Sequence, residues 1–391
     1  MVINSLPLNI ESNPKDILDW YRSLNLKAVG TFQSLGTAWP QSHIEQVLTS
    51  QQRGTVVDVR SEAEFALDHL PGAHNLPILN NLERHVVGTL YKHASHQDAR
   101  DCAWAFYEHK QKDFIQKAKN LKGPLHIMCW RGGGRSRVAT QVLRRLGCEA
   151  IQIQGGHKRY RKHVRTQLET VTGHLPLLVL AGLTGSGKTD ILRRLTALPH
   201  IDLEQAAQHC GSVFGAIPYL NTQSKGKTSQ AAFENRLFHQ MVSIPQNASP
   251  ILIEDEAVRI GFTRLPNPLY RNMRNANRIW IEMPLQSRIQ NIRHDYFSSP
   301  KIDPVIKQMR FAVMKLEKYI SVSNRRQLIS WLEAGRFNDF IEYLLVKYYD
   351  PRYRKNPPHV IKRVQAKNVA EAAEQIETAV KHYVCQLRPA Q

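Results

Sequence analysis

"PLHIMCWRGGGRSRVATQVLRRLG", residues 124–147, sets a short apolar run against a cysteine, three glycines and a stretch of helical period. The run reads as a buried strand ending at Cys129, the glycines as a loop, and "SRVATQVLRRLG" as a helix stopped by Gly147. A strand that turns tightly into a helix is the repeating unit of an α/β fold. The surroundings extend the pattern. "TVVDVR" (55–60) is a β-branched strand, and "SEAEFALDHL" is a helix with Ser61 as its cap and Glu64 three residues on. "EAIQIQGG" (149–156) is another strand.

A second unit opens at "VLAGLTGSGKTDILRRL" (179–195), again strand, glycine loop and helix. "ILIEDE" (251–256) and "NRIWIEMP" (277–284) repeat an apolar run ending in acid, as parallel strands do where they meet an active edge. The expected fold class is α/β: a small domain over 51–168, then a parallel-sheet domain over 174–391. The second carries a helical insertion at about 298–355 and a closing strand and helix, with Asn368 as cap. Residues 1–50 read as an extension to which no role is assigned.

Composition narrows the function. The 391 residues carry a formal charge of +20, which points to a polyanionic partner. The cations cluster in "HKRYRKHVR" (157–165), "RLPNPLYRNMRNANR" (264–278) and "KYYDPRYRKNPPHVIKR" (347–363). Aromatic faces beside guanidinium groups suit unstacked bases, so Arg274, Tyr349, Arg352, Tyr353 and Arg354 are the expected RNA contacts. No apolar run approaches the ~18 residues of a membrane span, and no basic flank followed by an apolar core marks a secretory leader. Five scattered cysteines, none at C-x-x-C spacing, argue against a disulfide framework and against structural zinc. A cytoplasmic protein without a membrane partner is expected.

The first loop has the makings of a reactive thiol. Cys129 precedes a helix N-terminus, where free N–H groups favour a thiolate. Gly132, Gly133 and Gly134 let amides point inward as an anion nest, and Arg131, Arg135 and Arg137 add positive charge beside Ser136. The C-x5-R-S spacing by itself fits a phosphatase as well as a sulfurtransferase. The second loop fits G-x-x-x-x-G-K-[ST] from Gly182 through Thr184, Gly185, Ser186 and Gly187 to Lys188 and Thr189. Its amides would cradle phosphates, with Lys188 on the terminal ones and Thr189 on magnesium. Glu254 or Asp255 would complete the metal site. The motif specifies a phosphorylated ligand, whether a nucleotide or a bare diphosphate.

Residues upstream of Cys129 separate the two thiol chemistries. "VVDVRSEAEFALDHLPGAHNLP" (56–77) and "GGHKRYR" (155–161) resemble the rhodanese family, and Met128 replaces the histidine usual before a phosphatase cysteine. The resemblance implies that Cys129 carries a chalcogen atom, as persulfide or perselenide. The whole arrangement resembles the tRNA 2-selenouridine synthase family over roughly 53–390. It rests on "CWRGGGRS", "NNLERHVVGTLYK" (80–92), "IDLEQAAQHCGSVFG" (201–215), "SQAAFEN" (229–235), "EDEAVRIG" (254–261) and "YYDPRY" (348–353). Cys210 stands where arginine is expected, which removes one phosphate contact. The resemblance implies a transferase that converts wobble 2-thiouridine in tRNA to 2-selenouridine through an S-geranyl intermediate. Its co-substrates would be geranyl diphosphate and selenophosphate, with a selenophosphate supplier as a further partner. The competing readings are a P-loop RNA kinase or ATPase with a regulatory rhodanese module, and a non-catalytic tRNA-binding module.

Overall fold

The computed structural model describes residues 13–24, 39–49, 54–220, 228–298, 302–353 and 357–387. The chain divides into two compact units, Met1–His163 and Val164–Gln391. Among the described residues no helix is long and apolar enough to cross a membrane.

The first unit comprises α1 (Pro14–Ser23), β1 (Gln41–His43), α2 (Ile44–Thr49), β2 (Thr55–Asp58), α3 (Glu62–Leu67) and β3 (His74–Asn75). Then follow α4 (Asn81–His93), α5 (His96–Lys119), β4 (Leu125–Met128), α6 (Gly134–Arg145), β5 (Ala150–Gln154) and α7 (Gly156–Val171), in which the boundary falls. Its sheet is parallel throughout, in the order β1-β5-β4-β2-β3. β4 is central and buried along its whole length, so the chain after Met128 emerges from the middle of the sheet edge. The expected caps form. The Ser61 side chain accepts from the Glu64 N–H, and Glu64 reaches back to the Ser61 N–H at 3.2 Å.

The stretch read as an extension is partly built into this unit. Ile17 of α1 is buried in its core, Tyr21 donates to Asp98 at 3.2 Å, and β1 extends the sheet beside β5. Three residues of strand leave no periodicity to read, which is why the sequence placed the boundary at 51.

The second unit begins with β6 (Leu177–Gly182), α8 (Lys188–Arg194), β7 (His200–Ile201), α9 (Leu203–Ala207), α10 (Gln230–Ser243) and β8 (Ile251–Glu254). A hairpin of β9 (Arg259–Ile260) and β10 (Thr263–Arg264), α11 (Asn267–Asn275), β11 (Asn277–Glu282) and α12 (Leu285–Phe297) come next. The insertion holds α13 (Ile302–Met314), α14 (Val322–Glu333) and α15 (Phe337–Tyr343), running into a π-helical segment, Leu344–Tyr349. β12 (Val360–Gln365) and α16 (Val369–Leu387) close the unit. The main sheet is parallel, in the order β12-β11-β6-β8-β7. β6 and β8 are neighbours, with Leu180 opposite Glu254, so the glycine loop after β6 and the acids after β8 share one edge. Ligands collect at such an edge of an open parallel sheet.

Candidate active site

Each unit carries a site at the carboxyl end of its sheet. In the first, Cys129 follows β4 directly and its residue is only 3% exposed. Its carbonyl accepts the His157 N–H at 2.9 Å, tying the loop to the start of α7. Gly132 has φ +67, and a Cβ there would meet the Gly155 nitrogen at 2.7 Å, so only glycine lets the loop pass under this turn. Gly133 and Gly134 have open space where a Cβ would stand. Cys129 Sγ lies 3.2 Å from Ser136 Oγ, and Gln152 of β5 donates to Ser136 Oγ and to the Gly132 carbonyl, both at 2.8 Å. The first helical bond of α6 runs from the Arg137 N–H to the Gly133 carbonyl, which leaves the preceding amides for an anion.

The three arginines divide. Arg135 donates to both oxygens of Glu64, at 2.6 and 3.2 Å. Burial alone would raise the Glu64 carboxyl, but Arg135, Arg84 and the Ser61 N–H bring it down to about 2. Arg137 lies over the Trp39 ring at 5.4 Å, and Arg131 is exposed on the cleft in front of the loop. Behind the loop is a charge network that sequence reasoning missed. Arg60 pairs with Asp58 at 2.6 Å, both buried, and Asp68 pairs with Arg161 at 3.6 Å, with the His157 ring 3.4 Å away. Burial, with Arg60 and Arg161 nearby, pushes His157 down to about 2, so it stays neutral and props the loop without adding charge.

In the second unit, Gly182 to Thr189 form the glycine loop between β6 and α8. Gly187 caps α8 at φ +70, and a Cβ there would strike Val369 at 2.7 Å. Asn291 donates to the Gly185 carbonyl at 2.9 Å and Arg288 to that of Thr184 at 2.8 Å. Arg288 also grips Asp350 at 2.6 Å, so the insertion's end holds the loop. Lys188 Nζ sits 3.4 Å from the Gly182 carbonyl. Burial lowers the Lys188 pKa, but Tyr353, Glu256, Glu204 and Asp255 outweigh it and hold it above that of a free lysine.

The expectation at the metal is Glu254 or Asp255, and the structure separates the two. Asp255, expected at the metal, is turned to Arg274, 3.5 Å away, which also removes Arg274 from the set of uncommitted RNA contacts. Glu204 is a third acid, beside Thr189. It accepts from Thr189 Oγ1 at 2.9 Å, while its own N–H donates to Glu254 at 2.8 Å. Burial first, then repulsion among the acids, pushes Glu204 and Glu254 up, and Glu256 up to about 8. Glu254 Oε2 and Ser186 Oγ are buried with no hydrogen-bond partner among the described residues. The "IDLE" stretch was the available signal for Glu204, but nothing in spacing alone brings it to Thr189. Among the described residues no three His, Cys, Asp or Glu side chains converge as a metal cage. Magnesium held chiefly by phosphates and water needs no such cage, and Thr189 with the orphaned Glu254 oxygen suits it.

Two of the expected RNA tyrosines belong to this site. Tyr353 Oη lies 3.1 Å from Thr184 Oγ1. The π-helical turn brings Tyr349 inward, where it lines an apolar pocket of about 80 Å³ with Thr184, Cys210, Tyr296, Phe340 and Leu344. Arg352 is exposed and stacked on Tyr348, 3.9 Å from the ring centre, and near Tyr319 at 4.8 Å. Arg354 lies outside the described residues. Cys210 puts a neutral thiol beside Glu204 and Asp295, and burial with repulsion from Asp190 and Glu204 carries Asp295 up to about 7.

The comparisons agree with this division. A model of the rhodanese-like domain matches residues 43–163, and a model of the tRNA 2-selenouridine synthase AAA domain matches 175–383. A tRNA 2-selenouridine synthase of Nitrosomonas europaea is 36% identical over 258 residues, 63% of this chain and 64% of that protein. The one from Chromohalobacter salexigens is 32% identical, covering 76% of this chain and 87% of its own length; that of Shewanella piezotolerans is 29% identical, covering 80% and 91%. The Nitrosomonas alignment thus spans just under two thirds of the relative's length, and the other two span most of it. With both domain models in order and the second covering more than half of the residues, the chain belongs to the tRNA 2-selenouridine synthase family.

Proposed function

We propose that this chain converts 2-thiouridine at the tRNA wobble position to 2-selenouridine in two stages, one at each site. The observation that carries the reading is the pairing, in one chain, of a cysteine-bearing anion nest with a phosphate loop bordered by an apolar pocket.

The phosphate loop serves the alkylation. The thione sulfur attacks C1 of geranyl diphosphate; a C–S bond forms, the C–O bond breaks, and the base loses its N3 proton. Diphosphate leaves with its charge. The loop amides and Lys188 are placed to receive that charge as it develops. Magnesium, where bound, would add a Lewis acid, with Thr189 and Glu254 holding it. The pocket beside Thr184, which at about 80 Å³ is smaller than a whole geranyl group, offers apolar surface to the first carbons of a chain rather than donors and acceptors to a nucleobase.

The Cys129 loop serves the exchange: its amides hold the donor's phosphate, and the Cys129 thiol gives its proton to the departing sulfur. Selenium from selenophosphate adds at C2; the C–Se bond forms, the C–S bond breaks, and geranyl thiolate leaves and takes up a proton. Water then cleaves the Se–P bond, giving phosphate and the selenouridine. Alkylation is needed because thione sulfur is a poor leaving group and an alkyl thiolate is a better one. The exposed cations, Arg352 among them, would hold the anticodon arm, whose wobble base lies unpaired and can be splayed out. A cytoplasmic setting and a selenophosphate-supplying partner follow from the same reading.

The kinase or ATPase reading has one observation of its own. A cleft of about 340 Å³ lined by Ser186, Trp280, Arg288, Tyr353 and Arg363 also borders the phosphate loop and has room for a base, although Trp280, 7% exposed with Arg363 over its ring, offers no free face to stack one. Purified protein, thiolated anticodon stem-loop, geranyl diphosphate and selenophosphate decide the matter by nucleoside mass spectrometry. S-geranyl and then seleno products are expected. ATP turnover far exceeding any nucleoside product would favour the alternative.

A further inference from the structure

The Cys129 loop faces a cleft of about 770 Å³, lined mainly by apolar side chains. Pockets of that size take organic ligands, whereas a phosphate-sized selenium donor needs only the amide nest and a cation. The extra space is walled by α4 and α5, through Val87, Tyr91, Ala99, Ala103 and Trp104. Tyr91 is 58% exposed, and Trp130, next to the reactive cysteine, is 41% exposed. Apolar surface kept open in this way marks a binding site. The exposed cations on the same cleft, Lys92, Arg100 and Arg131, suit the phosphates of a polynucleotide. What occupies the cleft must therefore be apolar at the α4–α5 wall, anionic beyond it, and attached to the atom that reacts beside Cys129.

We infer that the cleft binds the alkyl chain of the S-alkylated base, laying it along α4 and α5 so that C2 is presented to the Cys129 loop. The inference rests on the two-stage reading above. It makes the first unit a reader of chain length: the site selects the alkylated base by its lipid as well as by its better leaving group.

The test uses the unaltered full chain, selenophosphate, and anticodon stem-loops carrying S-methyl, S-dimethylallyl or S-geranyl 2-thiouridine. The thiols released are alkyl thiols of similar acidity, so the chemistry at C2 is matched and only the chain differs. Each buried methylene is worth about fourfold. With only part of the geranyl group buried, kcat/KM for selenouridine formation should rise with length and favour geranyl over methyl by at least ~100-fold. Ala103→Trp, which fills the wall, should lower the geranyl-to-methyl ratio at least tenfold. Equal kcat/KM for methyl and geranyl on the unaltered chain overturns the inference and leaves the two-stage reading standing. Selenation of plain thiouridine with none of any alkylated stem-loop overturns the two-stage reading itself.

Discussion

Glu64→Gln isolates the ion pair that fixes Arg135 beside the Cys129 loop. Glutamine keeps the length and the acceptor that the Ser61 N–H uses, so the capping box of α3 survives and only the charge is lost. The carboxyl lies at about 2 in the folded chain against 4.5 for a free glutamate, and the side chain is 17% exposed. At ~1.4 kcal/mol per unit this corresponds to about 3 kcal/mol of stability at pH 7. The sign follows from the depression: the contribution is fully present above the unfolded pKa and fades as pH falls toward the folded one, leaving about 1 kcal/mol at pH 3. Cys102 is fully buried in the first unit's core, so its labelling by a pyridyl disulfide, which works in acid, read on the Cys102 peptide by mass spectrometry apart from the four other free cysteines, reports opening of that unit during urea titration. Wild type and Glu64→Gln should differ most at pH 7 and converge toward pH 3. A difference that stays constant across that range would mean that the pair contributes nothing through charge, and that Arg135 is placed by packing alone.

Cys129→Ser should abolish selenation of a supplied S-geranyl stem-loop and leave S-geranylation of thiouridine intact, read by nucleoside mass spectrometry. Lys188→Ala should slow geranylation by ~100-fold or more, the scale of losing one preorganised charge partner of a leaving group. Tyr353→Phe removes the hydroxyl on Thr184 and should weaken diphosphate binding about fivefold, as one hydrogen bond is worth ~1 kcal/mol; calorimetry that shows no change would place Tyr353 outside the phosphate site. Without magnesium, sulfate, whose charge is fixed over this range, should bind the loop more tightly as pH falls from 9 to 7, because Glu256, at about 8, becomes neutral there and stops repelling the anion. Saturating magnesium should flatten that dependence.

Local sequence determined the elements and the two loops. The apolar run ending at Met128 and the one ending at Gly182 each became a buried strand, and the glycines after them became the turns, because both signals act within a few residues. Ser61 and Asn368 capped the helices they announced for the same reason. What the sequence left open was decided by partners distant along the chain. Glu64 takes Arg135 across 71 residues, and Gln152 of β5 sets Ser136 beside Cys129 across 16. Glu204 rather than Asp255 reaches Thr189, because α9 delivers it there while Arg274 draws Asp255 away. A π-helical turn carries Tyr349 into an apolar pocket, although its basic neighbours suggested RNA. Charge and aromaticity are properties of composition, but which way a side chain faces depends on the packing beneath it. The apolar cleft before Cys129 could not be read from either helix that walls it, since a cavity exists only once α4, α5 and the loop have packed together.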